Sequence, residues 1–167
     1  MKLDVQEKTV QFYFKKPDEL APEILEQIQD LIKKGAGVGP AYIEENLENA
    51  YLVSYAMVRE EVVGSVTLKR PKVAYRLKIE AATGVDLSGY LERGYTSVKP
   101  GFRDQGLPDK LIKGLIERSR GQKIYVTIRL DNTAPLRLAQ KNAMILAAKF
   151  ISERTGKEIG LFVNQFN

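Results

Sequence analysis

The chain has 167 residues, 44% of them hydrophobic, which is enough for the core of one domain. Its net charge of +5 suits an anionic partner, either a phosphate-rich cofactor or nucleic acid. It contains neither cysteine nor histidine, so disulfides, thiolate metal sites and Ser-His-Asp or Cys-His catalysis are excluded, and acid or base chemistry must use Asp, Glu, Tyr or Lys. No apolar run approaches about 20 residues and the N-terminus has no signal-peptide core, so we expect a cytoplasmic protein without a membrane segment.

The N-terminal part of the chain predicts one strand and two helices. Residues 9–14 are β-branched and aromatic and precede a proline, which is typical of a strand. Apolar residues three or four apart then predict a helix that opens at Pro17 and is capped by Gly35. The glycine-rich stretch 35–40 superficially resembles a nucleotide loop, but it follows a helix rather than a strand, so we interpret it as a connector. A short helix is expected over 41–49.

A hairpin and a basic segment follow. Two hydrophobic runs, 51–58 and 62–68, are joined by a short turn and predict an antiparallel hairpin. In 70–90 the apolar residues fit either an alternating strand or a helix ending at Gly84, and we favour the helix. Five Lys and Arg residues within 69–78 form either a solvated face or a contact for an acidic substrate or nucleic acid.

The most informative stretch is a strand, a tight polar turn and a helix. The strand 91–98 has Gly94 in its middle, where a bulge is expected, and on a regular strand Glu92 would share a face with Thr96 and Val98. The strand breaks before Pro100, and a helix follows the turn and runs to about residue 120. A helix N-terminus after such a turn gathers unpaired N–H groups and the positive end of the helix dipole, which together suit a phosphate.

The C-terminal part predicts a strand, a long helix and a final strand. Residues 123–130 are strongly β-branched, as in a strand. Asp131 and Asn132 supply an N-cap, and Pro135 is tolerated in the first turn that follows. Because apolar residues then surround much of the helical circumference, the helix is expected to continue to about residue 152 and to be largely buried. Residues 158–163 predict the last strand.

The chain around the polar turn resembles the cofactor motif of the GNAT superfamily of N-acyltransferases, through Val98, Lys99, Pro100, Arg103 and Gly106. The order of the predicted elements is similar to that family, as are Asn132, Leu138 and Lys141 in the C-terminal part. The resemblance implies a mixed α/β (α+β) fold with a central, mostly antiparallel twisted sheet flanked by helices. It also implies a single domain over 1–167, with an insertion at about 70–90 where the choice of substrate would be made.

The resemblance further implies acetyl-CoA or another acyl-CoA as cosubstrate, an amine as acceptor, and no metal. The turn and the start of the helix would hold the pyrophosphate, through Arg103, Asp104, Gln105, Gly106, Leu107, Pro108 and Asp109. Backbone groups of Thr96, Ser97 and Val98, together with Asn132, would hold the pantetheine arm. Two positions depart from the family pattern: Pro108 lacks the N–H of the usual Gly or Ala, and Ala139 replaces a frequent tyrosine.

Glu92 is the candidate catalytic residue. An alkylammonium with a pKa of about 10 must lose a proton before it can attack a thioester, and the departing thiolate benefits from a proton. The resemblance assigns the general base to Glu92, six residues before Val98. The alternative is an exposed strand carboxylate paired with a nearby Lys or Arg. Because Ala139 cannot donate a proton, the donor to the thiolate would be Tyr90, Tyr95, Tyr125, Ser97 or water.

Three functions follow from the sequence. The first is N-acyl transfer from acyl-CoA to a primary amine of an unidentified acceptor. The second is a non-catalytic acyl-CoA sensor or interaction module, which Pro108 and Ala139 favour. The third is nucleic-acid binding through 69–78, which no aromatic stacking cluster or known nucleic-acid motif supports. A homodimer is left open.

Overall fold

A computed structural model of the chain describes residues 9–36 and 40–164. Seven strands lie within these ranges: β1 (Val10–Lys15), β2 (Leu52–Val58), β3 (Glu61–Lys69), β4 (Tyr90–Val98), β5 (Lys123–Arg129), β6 (Met144–Ile151) and β7 (Glu158–Asn164). Five α-helices accompany them: α1 (Pro22–Ala36), α2 (Pro40–Glu48), α3 (Val73–Thr83), α4 (Leu107–Arg118) and α5 (Thr133–Lys141). Among these described helices, none is both long and apolar enough to cross a membrane.

All seven strands form one sheet in the order β1-β2-β3-β4-β5-β7-β6. Every neighbouring pair is antiparallel except β4 and β5, which are parallel. The exception follows from the connection, because α4 carries the chain back along the sheet between these two strands. The mixed, mostly antiparallel sheet flanked by helices is therefore confirmed, and so is the predicted hairpin of β2 and β3.

The helices cover both faces of the sheet. On one face, α4 packs on the central strands through Leu111, Ile112 and Leu115, in a core that also includes Ala139 of α5. On the other face, α1 and α2 form a second core that includes Ile28, Ile32, Ile43 and Leu47. A third cluster, formed by Ile79, Leu87, Tyr125 and Leu161, places α3 over β5 and β7. Since Ile124 joins the α4 core and Tyr125 the α3 cluster, α3 lies on the face opposite α4.

The first helix differs from its prediction at both ends. Residues Pro17–Glu19 form a separate 3-10 turn, and α1 begins only at Pro22, after Leu20 has adopted an extended conformation. The predicted cap, Gly35, lies inside the last turn of α1, which ends at Ala36. The remainder of the predicted connector, residues 37–39, lies outside the described residues. The helix predicted before Gly84 is confirmed, since α3 ends there in a left-handed C-cap with φ 73°.

The long helix predicted after Asn132 is wrong. Helix α5 ends at Lys141, Ala143 adopts a left-handed conformation with φ 56°, and β6 then pairs antiparallel with β7 at the edge of the sheet. Both faces of this strand are apolar. On a helical wheel the same residues, 144–151, therefore fall on all sides, which is why they resembled a buried helix. Met144 is buried in the α4 core, but the others are half-buried or exposed, and Ile151 is 60% exposed.

Candidate active site

The parallel strands β4 and β5 separate after a short paired stretch. Their pairs are Tyr90↔Lys123, Leu91↔Ile124 and Glu92↔Tyr125. Beyond the last pair, within the described residues, β4 is paired only with β3 and β5 only with β7. The gap between them is a cleft of about 460 Å³, bounded by the start of α5. Its closed end is where the two strands pair, at Glu92 and Tyr125. Two strand edges with free N–H and C=O groups therefore face this cleft.

A β-bulge in β4 lies where the cleft begins. Thr67 pairs with Gly94 but Ser65 pairs with Ser97, so β4 carries one extra residue, and Tyr95 has φ 52°. The bulge is thus next to Gly94, as the sequence suggests. It also overturns the expected alternation: Val98 packs in the α4 core, whereas Glu92 bonds to Tyr125 on the opposite face.

The polar turn after β4 leads directly into α4. The 3-10 turn Pro100–Phe102 is followed by two left-handed residues, Asp104 with φ 62° and Gly106 with φ 73°, and Gly106 is the N-cap of α4. Arg103 is exposed, and its Nε donates to the carbonyl of Val98 at 3.3 Å. Gln105 is exposed as well, while Leu107 is buried and anchors the first turn. The N–H groups of that turn have no acceptor within the helix.

Pro108 and Asp109 occupy the first turn of α4. Proline is compatible with this position but contributes no N–H to a bound anion. The Asp109 side chain is engaged: Lys113 Nζ lies 2.7 Å from Oδ2, and Asn142 Nδ2 donates to Oδ1 at 3.2 Å. The hydrogen bond from Lys113 is the main cause that holds the pKa of Asp109 below its ordinary value. This side chain therefore joins α4 to the end of α5.

The residues proposed from the sequence to contact pantetheine have different environments. Thr96 is exposed and lines the cleft on the β4 side, and Asn132 lines it from the N-cap position of α5. The Asn132 side chain makes no capping hydrogen bond, so its amide is available. Ser97 is buried, and its side chain lies on the α1 face beside Gly35. Val98 is half-buried in the α4 core.

Glu92 is buried at the closed end of the cleft with both carboxylate oxygens occupied. Lys69 Nζ lies 2.6 Å from Oε1, and the Tyr125 hydroxyl donates to Oε2 at 2.7 Å. Burial first, and the Glu92 charge second, raise the pKa of Tyr125 far above its ordinary value, so this phenol keeps its proton. Lys69 also lies over the Tyr95 ring, 4.2 Å from its centroid. Glu92 is therefore ion-paired with a lysine, as the alternative interpretation of the sequence expected. The pair is buried, however, and not exposed.

The candidate proton donors are likewise engaged or buried. The Tyr95 hydroxyl accepts a hydrogen bond from Asn46 Nδ2 at 2.6 Å. Tyr90 is half-buried and packs edge-on against Tyr125. Ala139 is 0% exposed within the α4 core. A tyrosine could not replace Ala139 without repacking that core.

Arg93 lines the cleft and was missed in the sequence. It is 7% exposed, and its Nη1 has no hydrogen-bond partner among the described residues. Burial lowers the pKa of Arg93 to about 10, so the guanidinium remains charged near neutral pH. A signal was present in the sequence, since Glu92 and Arg93 are two adjacent charged residues within the strand predicted over 91–98. No cluster of three acidic side chains that could bind a metal occurs within 9–36 and 40–164.

Comparison with known proteins supports the assignment of the fold. No family model matches the sequence, and no curated protein matches it significantly. Among solved structures, Arabidopsis thaliana NAA60 in complex with acetyl-CoA has a TM-score of 0.70 at 15% identity, covering 93% of this chain and 100% of that one. A GNAT family acetyltransferase of Streptococcus agalactiae has a TM-score of 0.71 at 15% identity, covering 93% and 96%.

The ribosomal-protein-S18-alanine N-acetyltransferase of Escherichia coli is similar as well, with a TM-score of 0.67 at 12% identity, covering 92% of this chain and 93% of that one. The likeness thus extends over nearly the whole of both chains in each comparison. At such identities it demonstrates a common fold, and the fold of this chain is that of the GNAT acetyltransferases.

Proposed function

We propose that this protein is an N-acyltransferase that moves an acyl group from acyl-CoA to a primary amine. The observation that carries the proposal is the cleft between β4 and β5, together with the N-terminus of α4, which follows β4 in the chain. An unpaired strand edge suits an extended amide chain, and a helix N-terminus suits a pyrophosphate. Coenzyme A contains both. The complex of NAA60 with acetyl-CoA, which has the same fold, supports this cosubstrate.

The cofactor contacts follow from the two parts of this site. The β5-facing backbone groups of β4 from Thr96 to Val98 would bond the pantetheine amides, with the Asn132 amide available on the opposite wall. The N–H groups of residues 103–107 and Asp109 would bond the pyrophosphate, and Arg103 would add a positive charge. An arm anchored there and lying along β4 would direct its acyl group to the closed end of the cleft.

Amide formation at that end requires three proton-dependent events. The amine loses a proton and its nitrogen bonds to the acyl carbon, the thioester oxygen receives a hydrogen bond, and the C–S bond breaks to release a thiolate that is then protonated. A β4 N–H beside the bulge would supply the hydrogen bond. Glu92 remains the proposed base, acting through water, because Lys69 and Tyr125 already occupy its oxygens. Water is then the simplest donor to the thiolate.

We also propose that residues 1–167 form one domain and that its insertion at about 70–90 selects the acceptor. Helix α3 lies in this insertion and covers Tyr125, the partner of Glu92. Tyr75 and Arg76 are close enough to Tyr125 to affect its pKa, so they lie near the closed end of the cleft. An acceptor that approaches Glu92 from this face would pass α3.

The second candidate function is a non-catalytic acyl-CoA sensor. The specific observation in its favour is that Glu92 and Tyr125 are bonded to each other and that Ala139 is buried, so neither the candidate base nor Tyr125 is free. This alternative predicts stoichiometric acyl-CoA binding without release of the thiol when amines are added.

Calorimetric titration with acetyl-CoA tests the proposed cofactor site. The disruptive variant is Arg103→Glu with Gly106→Glu at the N-terminus of α4. A matched control is Arg120→Glu with Gly121→Glu, just beyond the other end of the helix. Both pairs change the charge equally, and both glycines are exposed with positive φ, 73° and 81°. We expect roughly micromolar binding by the wild type and the control, and none by the disruptive variant.

Absence of binding by the wild type to acetyl-CoA and also to longer acyl-CoAs would refute both candidate functions. Where binding is seen, thiol release is measured with small amines, peptides with free N-termini and lysine peptides as acceptors. Release that depends on one class of amine supports transfer and identifies the acceptor class. Tight binding without release from any of them supports the sensor instead.

A further inference from the structure

A buried positive charge at the closed end of the cleft has no counter-charge in the described structure. Arg93 immediately follows the last β4–β5 pair, lines the cleft and is 7% exposed. Its Nη1 makes no hydrogen bond to residues 9–36 or 40–164. An unpaired ionised group removed from water is one of the costliest features that a folded protein can contain.

Two neighbouring carboxylates could neutralise Arg93, and both are already bound. Glu92, the adjacent residue in β4, is held by Lys69 and Tyr125. Asp131 lines the cleft but accepts a hydrogen bond from Arg129 Nε at 2.9 Å and is half exposed. A guanidinium forms its strongest pairs with carboxylates, through two parallel N–H donors. The missing partner is therefore expected to come from a ligand in the cleft.

We propose that the cleft accepts an acyl group that ends in a carboxylate, held by Arg93. This inference rests on the proposed function, because the acyl end of the cofactor is directed to the part of the cleft where Arg93 lies. A neutral acyl chain of the same shape would leave the guanidinium unpaired. Sites with a buried polar group discriminate strongly against ligands that leave this group without a partner.

A matched pair of cofactors tests the inference. Malonyl-CoA and 3-methylbutanoyl-CoA have acyl groups of nearly identical shape, in which a carboxylate replaces an isopropyl group. Calorimetry of the full chain compares their affinities, with free CoA as reference, for the wild type, Arg93→Met and Arg137→Met. Arg137 is an exposed arginine of α5, so its variant controls for the loss of one positive charge. Thermal melts verify that each variant is folded.

The wild type and Arg137→Met are expected to bind malonyl-CoA about tenfold to a hundredfold more tightly than 3-methylbutanoyl-CoA, and Arg93→Met is expected to lose this preference. Equal affinities in the wild type, or a preference for the neutral chain, would overturn the inference while leaving the proposed function intact. Persistence of the preference in a folded Arg93→Met variant would also overturn it. If the wild type binds none of the three cofactors, the proposed function fails as well. The wild-type comparison is decisive even if Arg93→Met does not fold.

Discussion

The pair of Lys69 and Glu92 provides the most direct test of how the closed end of the cleft is held together. Lys69 Nζ lies 2.6 Å from Glu92 Oε1, and the two side chains are only 15% and 9% exposed. Removing one partner from a buried ion pair leaves the other charge buried without a partner, which typically costs about 3–5 kcal/mol of stability. Lys69→Met and Glu92→Gln are each expected to lower the free energy of unfolding by about that amount.

The double variant separates pairing from simple loss of side-chain packing. In the double variant both charges are removed, so no charge is left buried without a partner. The double variant is therefore expected to lose no more stability than one single variant. The coupling free energy is then about 3 kcal/mol. Urea unfolding followed by circular dichroism measures all four proteins. The same substitutions in the exposed pair Lys72 and Glu45, 3.2 Å apart, serve as a control with an expected coupling below about 1 kcal/mol.

Additive effects at Lys69 and Glu92 would refute this reasoning, since they would mean that the two charges are stabilised independently. The result also bears on catalysis. A strong coupling means that Glu92 mainly holds β3, β4 and β5 together through Lys69 and Tyr125, which makes it a positioning residue. In that case Glu92→Gln would lower activity without removing the acidic limb of the pH profile of kcat/KM. Loss of that limb would instead identify Glu92 as the base.

Two further predictions concern charges near the cleft. Burial lowers the pKa of Arg93 from its ordinary value to about 10, which corresponds to a penalty of about 3 kcal/mol at about 1.4 kcal/mol per pKa unit. Arg93→Met should therefore raise the free energy of unfolding of the ligand-free protein by up to about 3 kcal/mol in urea, and a destabilised variant would contradict the unpaired state. The pKa of Asp109 is lowered, mainly by the hydrogen bond from Lys113, so its ionised form is the one that stabilises the fold. Asp109→Asn should cost about 0.5–1 kcal/mol at neutral pH, and the difference in melting temperature from the wild type should shrink as the pH falls below the ordinary pKa of Asp, about 3.9.

Local features of the sequence were sufficient to predict the part of the fold that surrounds the polar turn. Pro100 fixes its own φ angle, and Gly106 permits the left-handed conformation that precedes α4. The apolar spacing from Leu107 onward then requires one helical face to be buried. The hairpin of β2 and β3 is local in the same sense, because its two strands are joined by two residues. Each of these elements is therefore specified by residues that lie close together in the chain.

The strand β6 could not be predicted in this way. A run such as 144–151 is apolar enough for a buried helix or a strand, and the choice is made by pairing with β7, which comes later in the chain. The left-handed Ala143 ends α5, but alanine carries no sequence signal for that conformation. The helix was wrongly predicted because the conformation of this run is decided by its pairing with another strand and not by the run itself.

The same limit applies to the side chains at the closed end of the cleft, where their roles depend on register. Lys69 faces Glu92 because β3 and β4 pair at that position across the whole of α3, and a shift of one residue would separate them. The bulge at Tyr95 then reverses the alternation for the rest of β4, so that Val98 enters the α4 core. Two adjacent charged residues within the predicted strand 91–98 were visible in the sequence. Only the register distinguishes the carboxylate that is neutralised by Lys69 from the guanidinium that is left without a partner. Of these two adjacent residues, Glu92 is thus bonded to the neighbouring strands β3 and β5, whereas Arg93 is left for a ligand.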